Sequence, residues 1–302
     1  MEKFDIKKIL VPVDFSATAM HALKQAVLIA KTAGATIKII HVAQEVYFPA
    51  ADDAPLKNEE AINKSILKRS VAELKKIVKQ IHATDAINID YEIKSGNVID
   101  TVCYLAEQEK FDLIIMGTHG VSGVKEFFAG SNSYKTVRHS ICPVLTIQKN
   151  SGTINFKNII LPIRLERNSR QKVDYVVELA RLFNSTVIIT GYTDDTDENK
   201  QFKVKQYVEQ VEKYLAKNSI TYKSKLIFTS DFVKQILKLS AKSSAGLIVT
   251  MKEHDFSMDQ IIKGSYSEQL VNHSTIPVLS IPVFSNPDMI TYTPYLSGGV
   301  PY

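Results

Sequence analysis

The chain has 302 residues, 45% of them hydrophobic and 23% charged, and its 37 Lys and Arg against 32 Asp and Glu leave a formal net charge of +5. This is an ordinary globular composition of about twice the common domain size. The charge is too mild to point to nucleic acid, and no stretch approaches the roughly 18 uninterrupted apolar residues of a membrane span, so neither partner is expected.

Taken in order, Lys8 to Val13 is a β-branched run of strand length, and Ala17 to Ala33 carries helix formers between Ser16 at an N-cap position and Gly34 at a C-cap position. The opening MEKFDIKKILVPVDFS holds only a five-residue apolar run and is read as neither signal peptide nor anchor. Thr36 to Val42 is a second strand. A stretch with an acidic, proline-bearing middle, Pro49 to Pro55, reads as a loop, and a long helix follows from about Glu59 to His82. Strand Ile87 to Ile93, helix Val98 to Gln108, strand Leu113 to Gly117, a helix opening near Asn132 and strand Val144 to Gln148 complete the series. Cys103 and Cys142 are too few for a disulfide framework and are expected as reduced thiols of a cytoplasmic protein.

The series then begins again. Lys7 to Val13 returns as Lys157 to Ile163 with an offset of 150, whereas Phe111 to Met116 returns as Ala245 to Thr250 with an offset of 134. Gly130-Ser131 and Ser140 to Ile147 keep the second offset, returning as Gly264-Ser265 and Ser274 to Ile281. Helices are expected at Arg170 to Phe183, Asn199 to Lys217 and Asp231 to Ala241, and strands at Thr221 to Phe228, Leu247 to Met251 and Val278 to Val283. The pattern predicts an α/β chain of two tandem domains, 1–150 and 151–284, each a five-stranded parallel sheet sandwiched by helices, followed by a tail, 285–302. The tail has no helical period and reads as an extended arm.

In open parallel sheets ligands bind beyond the carboxyl ends of the strands, where strand order reverses. In the first repeat, Val11-Pro12-Val13-Asp14 puts a carboxylate after the first strand. Gly117-Thr118-His119-Gly120 follows the fourth, and Gly130-Ser131-Asn132-Ser133 opens the last helix. Glycines at 117, 120 and 130 allow close backbone approach, and amides and hydroxyls at a helix start favour an anion. A phosphate is the natural guest, although neither a P-loop nor a dinucleotide fingerprint is present. Asp14 and Ser131 also suit plain helix capping, and His119 and Lys125 read best as solvent-facing loop residues.

This Gly-x2-Gly-x9-Gly-Ser spacing, with the VPVDFS start and the HSICPVLTI end, resembles the universal stress protein family, and the duplication resembles its tandem members. The resemblance covers the chain to about residue 284. It implies a Rossmann-like fold of the adenine-nucleotide alpha hydrolase type, and ATP or AMP as ligand, with or without Mg²⁺. It also implies that Asp14 meets the adenine, that Pro12, Val13 and Val42 wall it, that Gly117 and Gly120 approach ribose and phosphates, and that Gly130, Ser131 and Asn132 hold the phosphate chain. In the second repeat the acid becomes Arg164 and the first two glycines become Met251 and His254, leaving only Gly264-Ser265. One nucleotide per chain is therefore expected. The resemblance further implies pairing through the last strands, as a pseudo-dimer within the chain or a homodimer. The leading function is a nucleotide-dependent regulator of a stress response; a slow ATPase and a nucleotide-free interaction scaffold are the alternatives. No synthetase-type motif and no carboxylate pair for a catalytic Mg²⁺ is evident.

Overall fold

The computed structural model describes residues 4–43, 57–118, 132–149, 151–252 and 265–283. Outside them lie His119, Gly120, Lys125, Gly130, Ser131, His254, Gly264 and the tail, 285–302. The chain divides into two compact units, one spanning Ile6–Lys149 and one beginning at Asn150, with which Phe4 and Asp5 group.

The first unit runs β1 (Lys8–Pro12), α1 (Ala17–Ala33), β2 (Thr36–Ala43), α2 (Lys57–Thr84), β3 (Ile89–Ser95), α3 (Val98–Gln108), β4 (Leu113–Gly117), α4 (Asn132–His139) and β5 (Val144–Ile147). Its strands lie in the order β3-β2-β1-β4-β5, all parallel. Side chains alternate across a strand. Leu10, Ile40, Ile114 and Met116 therefore share one face, under Val102 and Leu105 of α3 and Val137 of α4. Ile9, Val11, Ile37, Ile39 and Ile115, which alternate with them, are as deeply buried on the other. Burial on both faces is why these strands read as continuous apolar runs. The caps of α1 fall where the sequence puts them. Ser16 accepts the Ala19 N–H, and Gly34, at φ 68°, donates its own N–H to Ala30. Strand β3 starts two residues later than expected, because the Ile87 N–H is taken by the Asp85 carbonyl in the turn that leaves α2.

The second unit repeats this with β6 (Asn158–Ile163), a 3-10 turn (Arg167–Arg170), α5 (Val173–Phe183), β7 (Thr186–Thr193), α6 (Glu198–Lys217), β8 (Tyr222–Phe228), α7 (Phe232–Lys242), β9 (Leu247–Met251), α8 (Tyr266–His273) and β10 (Val278–Ile281). Strand order is β10-β9-β6-β7-β8, again parallel. The helix expected from Arg170 begins at Val173 instead. Ser169 exchanges hydrogen bonds with the Arg164 backbone through its hydroxyl, and the buried Lys172 donates to the Ser169 carbonyl, so the chain stays in a tight turn here. One glycine in this unit is fixed by packing: a Cβ on Gly246 would lie 1.6 Å from the Asn155 carbonyl oxygen.

Candidate functional site

Strands β1 and β4 part company at the place where strand order reverses. Their ladder consists of Ile9 with Leu113 and Leu10 with Ile114, whereas β1 stays paired with β2 as far as Pro12 with Ile40. Beyond the strands the Val13 N–H bonds the Ile40 carbonyl at 2.9 Å, and the Thr118 N–H bonds the Ile147 carbonyl at 3.0 Å. Each strand thus follows its outer neighbour, and a crevice opens between them at their carboxyl ends.

The structure brings Pro12, Val13, Asp14, Val42, Gly117 and Asn132 to this end of the first sheet. Pro12 is half-buried and Val13 buried, and the half-buried Val42 packs on the core cluster of Leu10, Ile40 and Met116. Asp14 is exposed. One of its oxygens accepts the Ser16 N–H at 3.0 Å, so the carboxylate helps to shape the start of α1; its second oxygen has no protein partner among the described residues. Phe15 sits in the left-handed region at φ 63°, which costs a residue with a Cβ about 1–2 kcal/mol. Its ring rests on His41, with centroids 4.7 Å apart. His41 in turn donates from Nδ1 to the Val13 carbonyl at 2.7 Å, which leaves the neutral ring's Nε2 to accept the Ser70 hydroxyl at 3.1 Å. The loop carrying Asp14 is therefore pinned by a histidine of β2 and a buried serine of α2. Sequence reasoning missed both residues; the available signal was a histidine between Ile40 and Val42 near the carboxyl end of β2.

Gly117 has a reason of its own to lack a side chain. A Cβ there would lie 2.7 Å from Thr18 Cγ2, 2.9 Å from the Thr18 carbonyl carbon and 3.0 Å from its oxygen. The first turn of α1 thus presses directly on β4. On the far side of the crevice, the Ser133 hydroxyl donates to the Thr118 carbonyl, and Asn132 stands exposed at the start of α4, whose first turn holds no acidic residue. Gly120, Gly130 and Ser131, the remaining expected phosphate residues, lie outside the described residues.

In the second unit the corresponding positions are filled. The ladder between β6 and β9 is again Ile159 with Leu247 and Ile160 with Ile248. The repeat offsets align Asp14, Val42, Val98 and Asn132 with Arg164, Tyr192, Phe232 and Tyr266, so each becomes larger. The Tyr192 ring packs 4.2 Å from Phe232, Phe232 meets Tyr266 edge-on at 5.4 Å, and the Arg164 guanidinium lies 4.0 Å over the Tyr266 ring. Tyr192 is buried, and its phenol pKa is pushed up by that burial. Met251 is buried as well. Ser265 caps α8 by accepting the Glu268 N–H at 3.1 Å, and Glu268 itself supplies a negative charge to that helix start.

Among the described residues no three His, Cys, Asp or Glu side chains gather to hold a metal ion, and no helix is long and apolar enough to cross a membrane. Cys103 and Cys142 are free thiols, and burial pushes that of Cys142 upward.

The universal stress protein family model matches residues 5–148. A universal stress protein from Methanocaldococcus jannaschii is 31% identical over 143 residues, covering 47% of this chain and 82% of that protein. Over nearly the whole length, the fold is that of a universal stress protein from Archaeoglobus fulgidus, with TM-score 0.75 and 17% identity over 94% of this chain and 98% of the other. A universal stress protein solved in complex with cAMP aligns over 47% of this chain and 96% of its own, at 23% identity and TM-score 0.37, a likeness that places no ligand here. The sequence match over the first unit, with the parallel sheet and its divided strands, makes this chain a member of the universal stress protein family.

Proposed function

We propose that the chain binds an adenine nucleotide, ATP or AMP, in the crevice between β1 and β4, and in the first unit only. The observation that carries this reading is the contrast between equivalent crevices. The first is bounded by Pro12, Val13 and Val42 and offers an exposed carboxylate; the second holds three aromatic rings and a guanidinium. An acceptor such as Asp14 suits the adenine amino group, which a guanidinium, having only donors, cannot serve. The phosphates would run toward the start of α4, where Asn132, Ser131 and Gly130 follow one another and the first turn of α4 brings no acid of its own. Mg²⁺ would come with the phosphates. Occupancy then regulates by differential binding: the nucleotide favours whichever conformation it binds more tightly, and partners read that conformation in a stress response. We place this activity in the cytoplasm, in keeping with two free thiols.

Titration calorimetry with ATP and with AMP tests the reading. It requires one site per chain, weakened about tenfold or more by Asp14→Ala through loss of a hydrogen bond to a charged group, and left unchanged by Arg164→Ala. Two sites per chain, or none for either nucleotide, would refute it.

A further inference from the structure

Equivalent faces of the two units carry opposite charge. Residues 83–118, which run from the end of α2 through β3 and α3 to the end of β4, hold seven acids against Lys94 and Lys110. The equivalent residues 217–252 hold seven lysines against Asp231. The second segment alone exceeds the +5 of the whole chain, so the mild overall charge hides two strong and opposed ones.

The fold gathers these charges into surfaces. On β8, Lys223 and Lys225 pair with Ile188 and Thr190 and so project to the sheet face that α7 covers, because Ile188 and Tyr192 pack with Phe232, Val233 and Ile236 of that helix. The outer side of α7 adds Lys234, Lys238 and Lys242 at helical spacing, all exposed. Of these five lysines only Lys234 has a carboxylate in reach among the described residues, Asp231 at 3.7 Å. In the first unit the same construction gives Asp90 and Glu92 on β3, Glu92 being paired with Lys94 at 2.7 Å and with Lys38 of β2 at 3.6 Å, beside the exposed Asp100, Tyr104 and Glu107 on the outer side of α3. Tyr104 is 65% exposed in the middle of this acidic stripe, at the position equivalent to Lys238. An exposed ring rimmed by carboxylates is a good acceptor for a lysine ammonium. Edge-strand lysines alone would be expected to discourage stray strand pairing, but that does not account for the stripe on α7 or for the acids Asp90, Glu92 and Asp100 at three of the five matching positions of the first unit.

We propose that these faces are complementary docking surfaces between copies of this chain, the lysine face on β8 and α7 of one molecule taking the acidic face on β3 and α3 of another. Complementarity within one sequence selects a second copy over an external polyanion: a polyanion would use the lysines and leave the matched acidic, tyrosine-centred face unexplained. A contact between unlike faces closes two chains into a ring or continues into a longer array. Its strength depends on ionic strength, since exposed charges are screened over about 10 Å at 0.1 M salt and about 3 Å at 1 M.

Sedimentation velocity of the full chain tests this. In about 20 mM salt the wild type should show a concentration-dependent association step that is lost in about 0.5 M salt. Lys234→Glu/Lys238→Glu and Asp100→Lys/Glu107→Lys should each lack the step, because each variant has lost nearly all the net charge of one of its two faces. An equimolar mixture of the two variants should regain a pairwise step, since the intact acidic face of the first variant finds the intact lysine face of the second. All four positions are exposed, and in the second variant the helix-dipole loss at Asp100 is offset by the gain at Glu107; unchanged melting curves verify the fold. No salt-sensitive step in the wild type, or variants that keep it, or a mixture that fails to recover it, overturns the proposal. A wild type without the step that nevertheless retards a short DNA oligonucleotide through Lys234 and Lys238 overturns it in favour of a nucleic-acid partner.

Discussion

Replacing Gly117 with alanine adds one methyl group at the end of β4, and the structure says what that methyl meets. Two of its three nearest neighbours, at 2.9 and 3.0 Å, are backbone atoms of Thr18, and only the 2.7 Å contact is with a side chain, Thr18 Cγ2. Backbone in the first turn of a capped helix cannot rotate aside, so α1 must move as a body, and overpacking of this kind costs about 1–3 kcal/mol. At roughly 3 °C per kcal/mol the unfolding midpoint of the first unit should fall by about 3–9 °C. Differential scanning calorimetry without nucleotide is the decisive assay, because a glycine needed only for close approach of a ligand would leave the apo protein unchanged. Thr18→Ala in the same background should restore only part of the loss, since it removes the side-chain contact and leaves the carbonyl ones. An apo Gly117→Ala protein as stable as wild type, or one fully rescued by Thr18→Ala, would refute the packing argument.

Ser70→Ala should cost the first unit about 1 kcal/mol by removing the hydroxyl that His41 Nε2 accepts, seen as a lower melting midpoint; no change would show that His41 holds the Val13 carbonyl unaided. Gly246→Ala should be far more severe than Gly117→Ala, because its Cβ would overlap the Asn155 carbonyl oxygen at 1.6 Å, and the second unit should lose its cooperative transition in calorimetry. Under native conditions at about pH 8, a thiol reagent should modify half-buried Cys103 and spare Cys142, which burial both shields and holds in the thiol form; two thiols should react after denaturation, and two reacting at equal rates in the native protein would contradict the buried position. Glu92 is held below the usual carboxylate range, first by its hydrogen bond to Lys94. Its folded pKa being the lower one, its contribution to stability is present above the unfolded pKa of about 4.3 and disappears as pH falls through the lowered folded value. Glu92→Gln should therefore flatten the acid side of the stability curve below about pH 4, measured as melting midpoint against pH.

Local signals made much of the fold legible. Ser16 and Gly34 bound α1 as read, and apolar runs buried on both faces marked the inner strands β1, β4, β5, β6, β9 and β10, whereas the edge strands β3 and β8 carry charged, exposed residues. Element ends moved where long-range contacts intervened: Lys172 and Ser169 hold a turn that delays α5, and nothing in the helical pattern from Arg170 onward signals it. At the site, the sequence pointed to Asp14 and Gly117 and gave Gly117 a ligand's reason, to which the fold adds a helix's, the close approach of Thr18. His41 and Ser70 were invisible because a histidine in a strand and a serine in a helix acquire meaning only when a 3.1 Å hydrogen bond joins them.

The filling of the second crevice was legible only at Arg164 and Met251. Tyr192, Phe232 and Tyr266 come from a strand and two helices far apart in sequence, and each alone is an unremarked apolar replacement. Their joint effect follows from topology: strand ends and helix starts converge on the carboxyl edge of a parallel sheet, so substitutions scattered along the chain add their volume in one place. The same convergence leaves the outer edge of the sheet independent of the crevice. Lysines on β8 and on the exposed side of α7 can stand where the first unit has Asp90, Glu92, Asp100, Tyr104 and Gln108 while Phe232 and Val233 stay buried beneath them. A duplicated parallel sheet can therefore change what its carboxyl edge holds and what its outer face attracts by separate sets of substitutions, with the buried alternation of its strands left as it was.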